Sequence, residues 1–171
     1  MANVSSFLPV ARKNARVLIL GSMPGIASLE AQRYYAHPRN AFWPILAEIC
    51  GFDRELAYEQ RLKEALSKGI ALWDVLASCA REGSLDSDIE AASIRTNDFA
   101  GFLSSHPGVT AVFCNGGAAF QMFRKRVVPG LPEEFAKVRV RQLPSSSPAH
   151  ASMTLAQKRD VWVAEIGPLL Q

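Results

Sequence analysis

The 171-residue chain is poor in the residues that build covalent or metal frameworks: it has three cysteines, Cys50, Cys79 and Cys114, and three histidines, none of them clustered. Three separated cysteines form neither an even disulfide framework nor a CxxC metal or redox pair, so a reducing compartment is expected. Without an HExxH or a histidine cluster, no catalytic zinc is expected. Long apolar runs are also missing. No stretch reaches the roughly 20 residues of a membrane span, and the opening MANVSSFLPVARK lacks the basic-then-apolar order of a signal peptide, so the expected address is the cytoplasm, with no membrane partner. A GxSxG elbow is absent too, which ranks a small-molecule α/β hydrolase last among the readings.

What is present suits one globular domain over residues 1–171, because 49% apolar and 20% charged residues exclude disorder. No repeat, low-complexity tract or linker divides it, and a monomer is expected. The formal charge of +3 is unevenly placed. Residues 1–123 sum to −1 and residues 142–171 to zero, whereas Arg124 to Arg141 holds six Lys and Arg against two Glu. A local positive field of that kind suits a phosphate-bearing partner, although on charge alone an ordinary solvated face is the better reading.

Along the chain, short apolar runs alternate with helical patterns, which predicts an α/β fold: a three-layer α/β/α sandwich around a central, mostly parallel four-stranded sheet. The strands are read at Arg16 to Gly21, Gly69 to Leu76, Val109 to Cys114 and Lys137 to Arg141. In the last of these, Lys137, Arg139 and Arg141 share one face and Val138 and Val140 the other, as on an edge strand with one wet side. Helices are predicted from Phe42 to Cys50, from Asp53 as cap to about Ser67, from Asn97 to Ser105, from Gly117 to about Val127, and from a Thr154/Gln157 capping box onward.

In such sheets ligands gather at the carboxyl ends of the strands, so the loops there matter most. They read Gly21-Ser-Met-Pro-Gly25 running on to Tyr34-Tyr-Ala-His-Pro-Arg-Asn-Ala-Phe-Trp-Pro44, then Asn115-Gly-Gly-Ala118, then Leu143-Pro-Ser-Ser-Ser-Pro-Ala-His150. These motifs, in this order from Val17 to about Ala151, resemble the uracil-DNA glycosylase superfamily, and within it the hypoxanthine-DNA (deoxyinosine) glycosylase branch. The resemblance implies DNA containing a deaminated base as partner, with hypoxanthine first and uracil second. It also implies hydrolysis of the base–sugar bond.

Asn40 matches the catalytic asparagine of that branch. Its amide does not titrate near neutral pH, but its carbonyl can accept from a water; the competing role is helix N-cap before Phe42. Ser145 stands where relatives carry the His or Asn that donates to the departing base, with a shorter reach. Ser22 and Met23 border the base by their place in the first motif, and Met23 replaces a water-binding Asp or Asn. Tyr35 matches the aromatic floor under the everted base, with Tyr34 in its place if the loop is read one residue out of step. His37 is read as ordering the loop.

Asp74 falls near a base-reading asparagine of uracil-specific relatives. It is read either as an acceptor-only carboxylate for a base N–H or as the structural partner of an arginine such as Arg81. Ser147 matches a phosphate-gripping serine, Ser146 serves there or as a plain turn residue, and Ala149 or His150 stands where relatives insert a wedge. Arg139 and Arg141 extend the expected DNA contact. Some superfamily branches carry an iron–sulfur cluster on four cysteines, which three cannot supply, so no cofactor is expected. No lysine lies in the three loops, so the expected product is an intact abasic site. Two alternatives stay open: a uracil/thymine mismatch glycosylase, and a catalytically weak nucleic-acid-binding module of the same fold.

Overall fold

Five-residue apolar runs bury both faces only when a sheet is covered on both sides, and this one is. In the computed structural model, which describes residues 2–170, the strands are β1 (Asn3–Ser5), β2 (Val17–Gly21), β3 (Ile70–Asp74), β4 (Leu76–Ala80), β5 (Arg95–Thr96), β6 (Ala111–Asn115) and β7 (Arg139–Leu143). The helices are α1 (Ile26–Ala31), α2 (Phe42–Cys50), α3 (Tyr58–Ser67), α4 (Phe99–Ser105), α5 (Gly117–Arg126) and α6 (Leu155–Ile166). Strands β3, β2, β6 and β7 lie side by side in that order, all parallel. Alternation along β2 sends Val17 and Ile19 into one core with α2, α3 and α6, and Leu18 and Leu20 into the other with α4 and α5. The three-layer α/β/α sandwich predicted from the pattern is the observed architecture. No helix among the described residues is long and apolar enough to cross a membrane.

Because the chain leaves β2 for β3 on one side and reaches β6 on the other, the order reverses beside β2. That reversal opens a crevice at the carboxyl ends of β2 and β6. Edge strand β7 keeps Arg139 and Arg141 exposed and Val140 half-buried, as the alternating pattern required, although it spans 139–143 rather than 137–141.

Several local readings change. The run read as one strand to Leu76 breaks at Val75, where the Val75 and Leu76 N–H groups bond to the carbonyls of Gly21 and Ser22. The chain then enters a second, antiparallel sheet of order β1-β4-β5, held at the break by Asn97 Nδ2, which donates to the Asp74 and Leu76 carbonyls. Asp53 does not cap α3: it accepts from Glu55 N–H in a separate turn, and the helix starts at Tyr58. The glycine- and proline-containing stretch after β2 holds a short helix, α1.

The final helix begins as its capping box predicts, with Thr154 Oγ1 accepting from Gln157 N–H at 3.1 Å and Gln157 Oε1 accepting from Thr154 N–H at 2.8 Å. Its buried face is Lys158, Trp162 and Ile166, spaced four residues apart. Thr154→Ala is expected to cost about 1 kcal/mol and lower the melting temperature by about 2–4 °C. A thermal melt with no shift would show that the box contributes nothing.

Candidate active site

The crevice at the strand ends is a cleft of about 340 Å³. Its walls include Met23, Tyr35, Asn40, Asp74, Asn115 and Ser145, so four loops distant in sequence meet there. Of the residues singled out in the sequence, Ser22, Met23, Tyr35, Asn40, Asp74, Ser145, Ser146, Ser147 and Ala149 all line this cleft. His150 lines a neighbouring cavity. Arg139 and Arg141 pair with Ala111 and Phe113 along β7 and line neither. At about 3.3 Å per strand residue, Arg139 stands roughly 20 Å of chain before the serine loop.

Gly21 ends β2 directly beside Asp74 of β3. A Cβ on Gly21 would lie 2.6 Å from Asp74 Oδ1 and 3.2 Å from the Tyr35 hydroxyl, so the missing side chain is what admits both groups. Asp74 is 3% exposed and its Oδ2 has no hydrogen-bond partner. The arginine pairing does not occur: among the described residues Arg81 makes no ion pair within 4 Å, and its Nη2 instead donates to the Pro24 carbonyl at 2.5 Å, tying down the first loop. Burial, reinforced by the negative charge of Asp86 and opposed by Arg81, pushes the Asp74 carboxyl up to about 7.

Asp86 is the residue that sequence reasoning missed. It comes from the β4–β5 connection and accepts from Ser22 Oγ at 2.5 Å, while Ser84 Oγ accepts from Ile26 N–H at 2.8 Å. The pair closes the cleft on its third side. Burial raises the Asp86 carboxyl too, although the Ser22 hydrogen bond and Arg81 oppose this. Its only trace in the sequence was a Gly- and Ser-rich loop, which says nothing about which motif it would meet.

Tyr35 takes a left-handed backbone, φ 56°, an uncommon state for a non-glycine residue and one held only where the surroundings over-determine it. Its ring stacks on Phe42 with centroids 3.8 Å apart and planes 16° from parallel, and its hydroxyl is buried near Asp74 and Asn115. Burial first, then the nearby Asp74, hold that phenol well above the usual tyrosine range. Tyr34 is a core residue: its hydroxyl donates to the Leu8 carbonyl, and its own carbonyl accepts from Trp43 Nε1. Both tyrosines line the cleft, but the polar groups of Tyr34 are spent on the core. His37 Nδ1 accepts from Arg39 N–H, ordering the loop as read. Asn40 Oδ1 accepts from Phe42 N–H at 3.0 Å in a turn that leads into α2, whose N-cap is Ala41 rather than Asn40, and this bond fixes the amide while leaving a second lone pair on Oδ1.

The serine loop is held through its carbonyls. Pro144 O accepts from Trp162 Nε1 at 2.9 Å, Ser146 O from Ala41 N–H at 2.9 Å and Ser147 O from Lys158 Nζ at 3.2 Å. Ser146 is 1% exposed and doubly bonded to Asn115: its N–H donates to Oδ1 at 2.9 Å and its Oγ accepts from Nδ2 at 2.8 Å. It therefore ties the loop down from beneath, which corrects its reading as a surface donor to DNA. Ser145 and Ser147 each accept on Oγ from the N–H two residues on, at 3.1 and 3.2 Å. A hydroxyl used this way as acceptor keeps its own proton to donate.

Comparison with known proteins gives a consistent picture. The family model for the uracil DNA glycosylase superfamily matches residues 8–171. A protein of Methanosarcina barkeri named hypoxanthine DNA glycosylase is 39% identical over 111 residues, covering 64% of this chain and 69% of that protein. Its namesake from Methanosarcina acetivorans is 39% identical over 114 residues, covering 66% and 71%. A solution NMR structure of a candidate uracil DNA glycosylase from Methanosarcina acetivorans superposes with a TM-score of 0.79 at 32% identity, over 98% of this chain and 99% of that one.

The raised Asp74 carboxyl has a stability consequence of definite sign. Between the ordinary aspartate value near 3.8 and about 7, the unfolded chain loses this proton while the folded chain keeps it, so the group destabilises the fold progressively as pH rises through that window. Asp74→Asn is expected to raise the melting temperature at pH 8 relative to the parent and to change it little at pH 4. Equal shifts at both pH values would refute the assignment.

Proposed function

The chain belongs to the uracil-DNA glycosylase superfamily, and from that membership and the cleft we infer that it is a monofunctional DNA glycosylase excising deaminated bases, hypoxanthine first and uracil second, in cytoplasmic base-excision repair. The observation that carries this reading is the meeting of Tyr35, Asn40, Asp74 and Ser145 around one cleft at the sheet's switch point.

Such a site receives a base flipped out of the duplex. Flipping costs a few kcal/mol of stacking, part of which the Tyr35 ring, backed by Phe42, recovers. Cleavage of the bond between C1′ and the base leaves an oxocarbenium-like sugar and puts the electron pair on the base, so the site must hold a water for C1′ and stabilise the departing anion. Asn40 holds the water through the free lone pair of Oδ1. The amide is not a base, so its work is positioning, and the proton lost by the water leaves to solvent or to the departing base. Ser145, its hydroxyl proton unspent, donates to the base. The sugar gains the water's hydroxyl, and the product is free base plus an intact abasic site.

Asp74 reads the base as a neutral acid rather than as the acceptor-only carboxylate expected from sequence, since burial without a partner favours the proton. A protonated carboxyl donates through O–H and accepts through C=O, which complements the N–H and C=O edge shared by hypoxanthine and uracil. Donation to the base carbonyl strengthens as charge builds there. At the cleft, Ser147 and Ala149, with His150 in the neighbouring cavity, meet the strand, whereas Arg139 and Arg141 act at a distance through their field.

Duplexes carrying a single hypoxanthine, uracil or xanthine, followed by alkaline strand cleavage, test the activity; hypoxanthine should be released fastest, and release of none of them would overturn the reading. Asn40→Ala should slow single-turnover excision by about 10²–10³-fold. The parent rate should decline as pH rises through about 7, the value at which Asp74 loses its proton. Asp74→Asn, which keeps a donor and an acceptor, should stay active and lose that decline, and Asp74→Ala should be crippled. An inactive Asp74→Asn would instead assign the role to the ionised carboxylate.

A further inference from the structure

Behind the wall formed by Asn40 and Ser146 lies a second, open cavity of about 490 Å³ that the excision chemistry does not use. Its charged lining is all of one sign: Arg39, Arg54 and Lys158, with the imidazole of His150 beside them and no carboxylate. Arg39 is exposed at the rim. Arg54 has only a loose contact with Glu55 at 4.0 Å, both side chains being mostly in water, where such a pair is worth little.

Lys158 is the unusual member. It is 5% exposed, it has no ion pair among the described residues, and its one hydrogen bond, to the Ser147 carbonyl at 3.2 Å, leaves donor capacity on the ammonium. A buried cation without a counter-charge costs free energy unless something supplies the anion. Its bond to the Ser147 carbonyl uses one of the three ammonium protons, and among the described residues no carboxylate pairs with it. Burial holds its pKa below the ordinary lysine value without any partner to restore it.

We propose that this cavity is a phosphate-binding subsite in which Lys158, with Arg54 and Arg39 at the rim, takes a phosphodiester of the DNA strand next to the flipped nucleotide. The proposal rests on the glycosylase reading for its ligand, because Asn40 and Ser146 wall both the cleft and this cavity. A backbone whose base enters the first therefore passes the mouth of the second. The ammonium bonded to the Ser147 carbonyl also links the anchored phosphate to the serine loop, so one cation holds the loop and the strand together. This places the electrostatic grip on residues scattered along the chain rather than on the basic stretch from Arg124 to Arg141.

The test is the salt dependence of binding to an undamaged duplex and to one carrying hypoxanthine. Lys158→Gln keeps a donor for the Ser147 carbonyl and removes the charge. It should weaken binding by about tenfold and lower the slope of log K against log salt by about one, while Lys158→Arg restores the slope. A purely structural role for Lys158 leaves the slope untouched, and an unchanged slope in Lys158→Gln overturns the proposal. Should Lys158→Gln fail to fold by circular dichroism, Arg54→Gln on the exposed rim decides, with a slope lowered by about one in support and an unaltered slope against. Excision is scored separately. A parent protein that releases no deaminated base defeats the glycosylase reading, while the slopes on undamaged duplex still decide the phosphate site.

Discussion

The site depends on how one loop disposes of its carbonyl groups. Residues 144–147 lie where the sheet ends, so their backbone has no strand neighbour to bond, and buried unpaired carbonyls are costly. Three of the four carbonyls are claimed from outside the loop: Pro144 by Trp162 and Ser147 by Lys158, one turn apart on α6, and Ser146 by Ala41 at the start of α2. Asn115 at the end of β6 takes the remaining N–H and hydroxyl of Ser146. Three elements thus converge on four residues, and the Asn40 loop is fixed to the serine loop by the Ala41 to Ser146 bond. Displacing α6 would therefore move both halves of the cleft at once. Gly116 belongs to the same constraint. Its φ of 98° and the 3.0 Å approach a Cβ would make to Ser145 show why the turn after β6 contains no side chain at that point.

Against this rigid frame the cleft itself is under strain. Tyr35 sits at positive φ with its hydroxyl buried, and Asp74 is buried with one oxygen lacking any donor. Each of these features destabilises the fold, and together they form one wall with Gly21 as the gap that admits them. Violations of local rules concentrated in a single wall are what a binding site shows when its polar groups await a ligand. The same groups in a pure scaffold would have been paired or replaced.

Much of this was legible in the sequence, for identifiable reasons. Runs such as Val17-Leu-Ile-Leu-Gly21 declare buried parallel strands because both faces are apolar, and Thr154 with Gln157 declares a helix start because both halves of the box are local. Asn40, Tyr35, Ser145 and Asp74 were legible through the resemblance of their motifs to the superfamily, and the topology brings those loops to one cleft. What escaped depended on partners distant in the chain. The break at Val75 is set by Asn97 and by the carbonyls of Gly21 and Ser22. The third wall of the cleft is set by Ser22 meeting Asp86, 64 residues away. Periodicity carries no information about such meetings. Asp53 misled for the opposite reason: a good capping residue found a nearer N–H and closed a turn instead.

Charge shows the same limit, and resolves it physically. Summed along the chain, residues 1–123 are slightly acidic and the surplus lies between Arg124 and Arg141, yet Arg39 and Arg54 from the acidic part join Lys158 around one cavity. A field is felt over about 10 Å of space at ordinary salt, so proximity in sequence is the wrong coordinate. The two sides of the Asn40 and Ser146 wall then carry uncompensated groups of opposite sign, and they respond differently. Asp74 escapes its burial penalty by taking a proton, because the value of about 7 lies within reach of neutral pH. Burial lowers the Lys158 pKa with no partner charge to oppose it, and the open cavity before its ammonium has room for an anion. A neutral donor facing the base and a cation facing the backbone is the division of labour that a site needs when it must hold a phosphate throughout the reaction and stabilise a negative base only at its end.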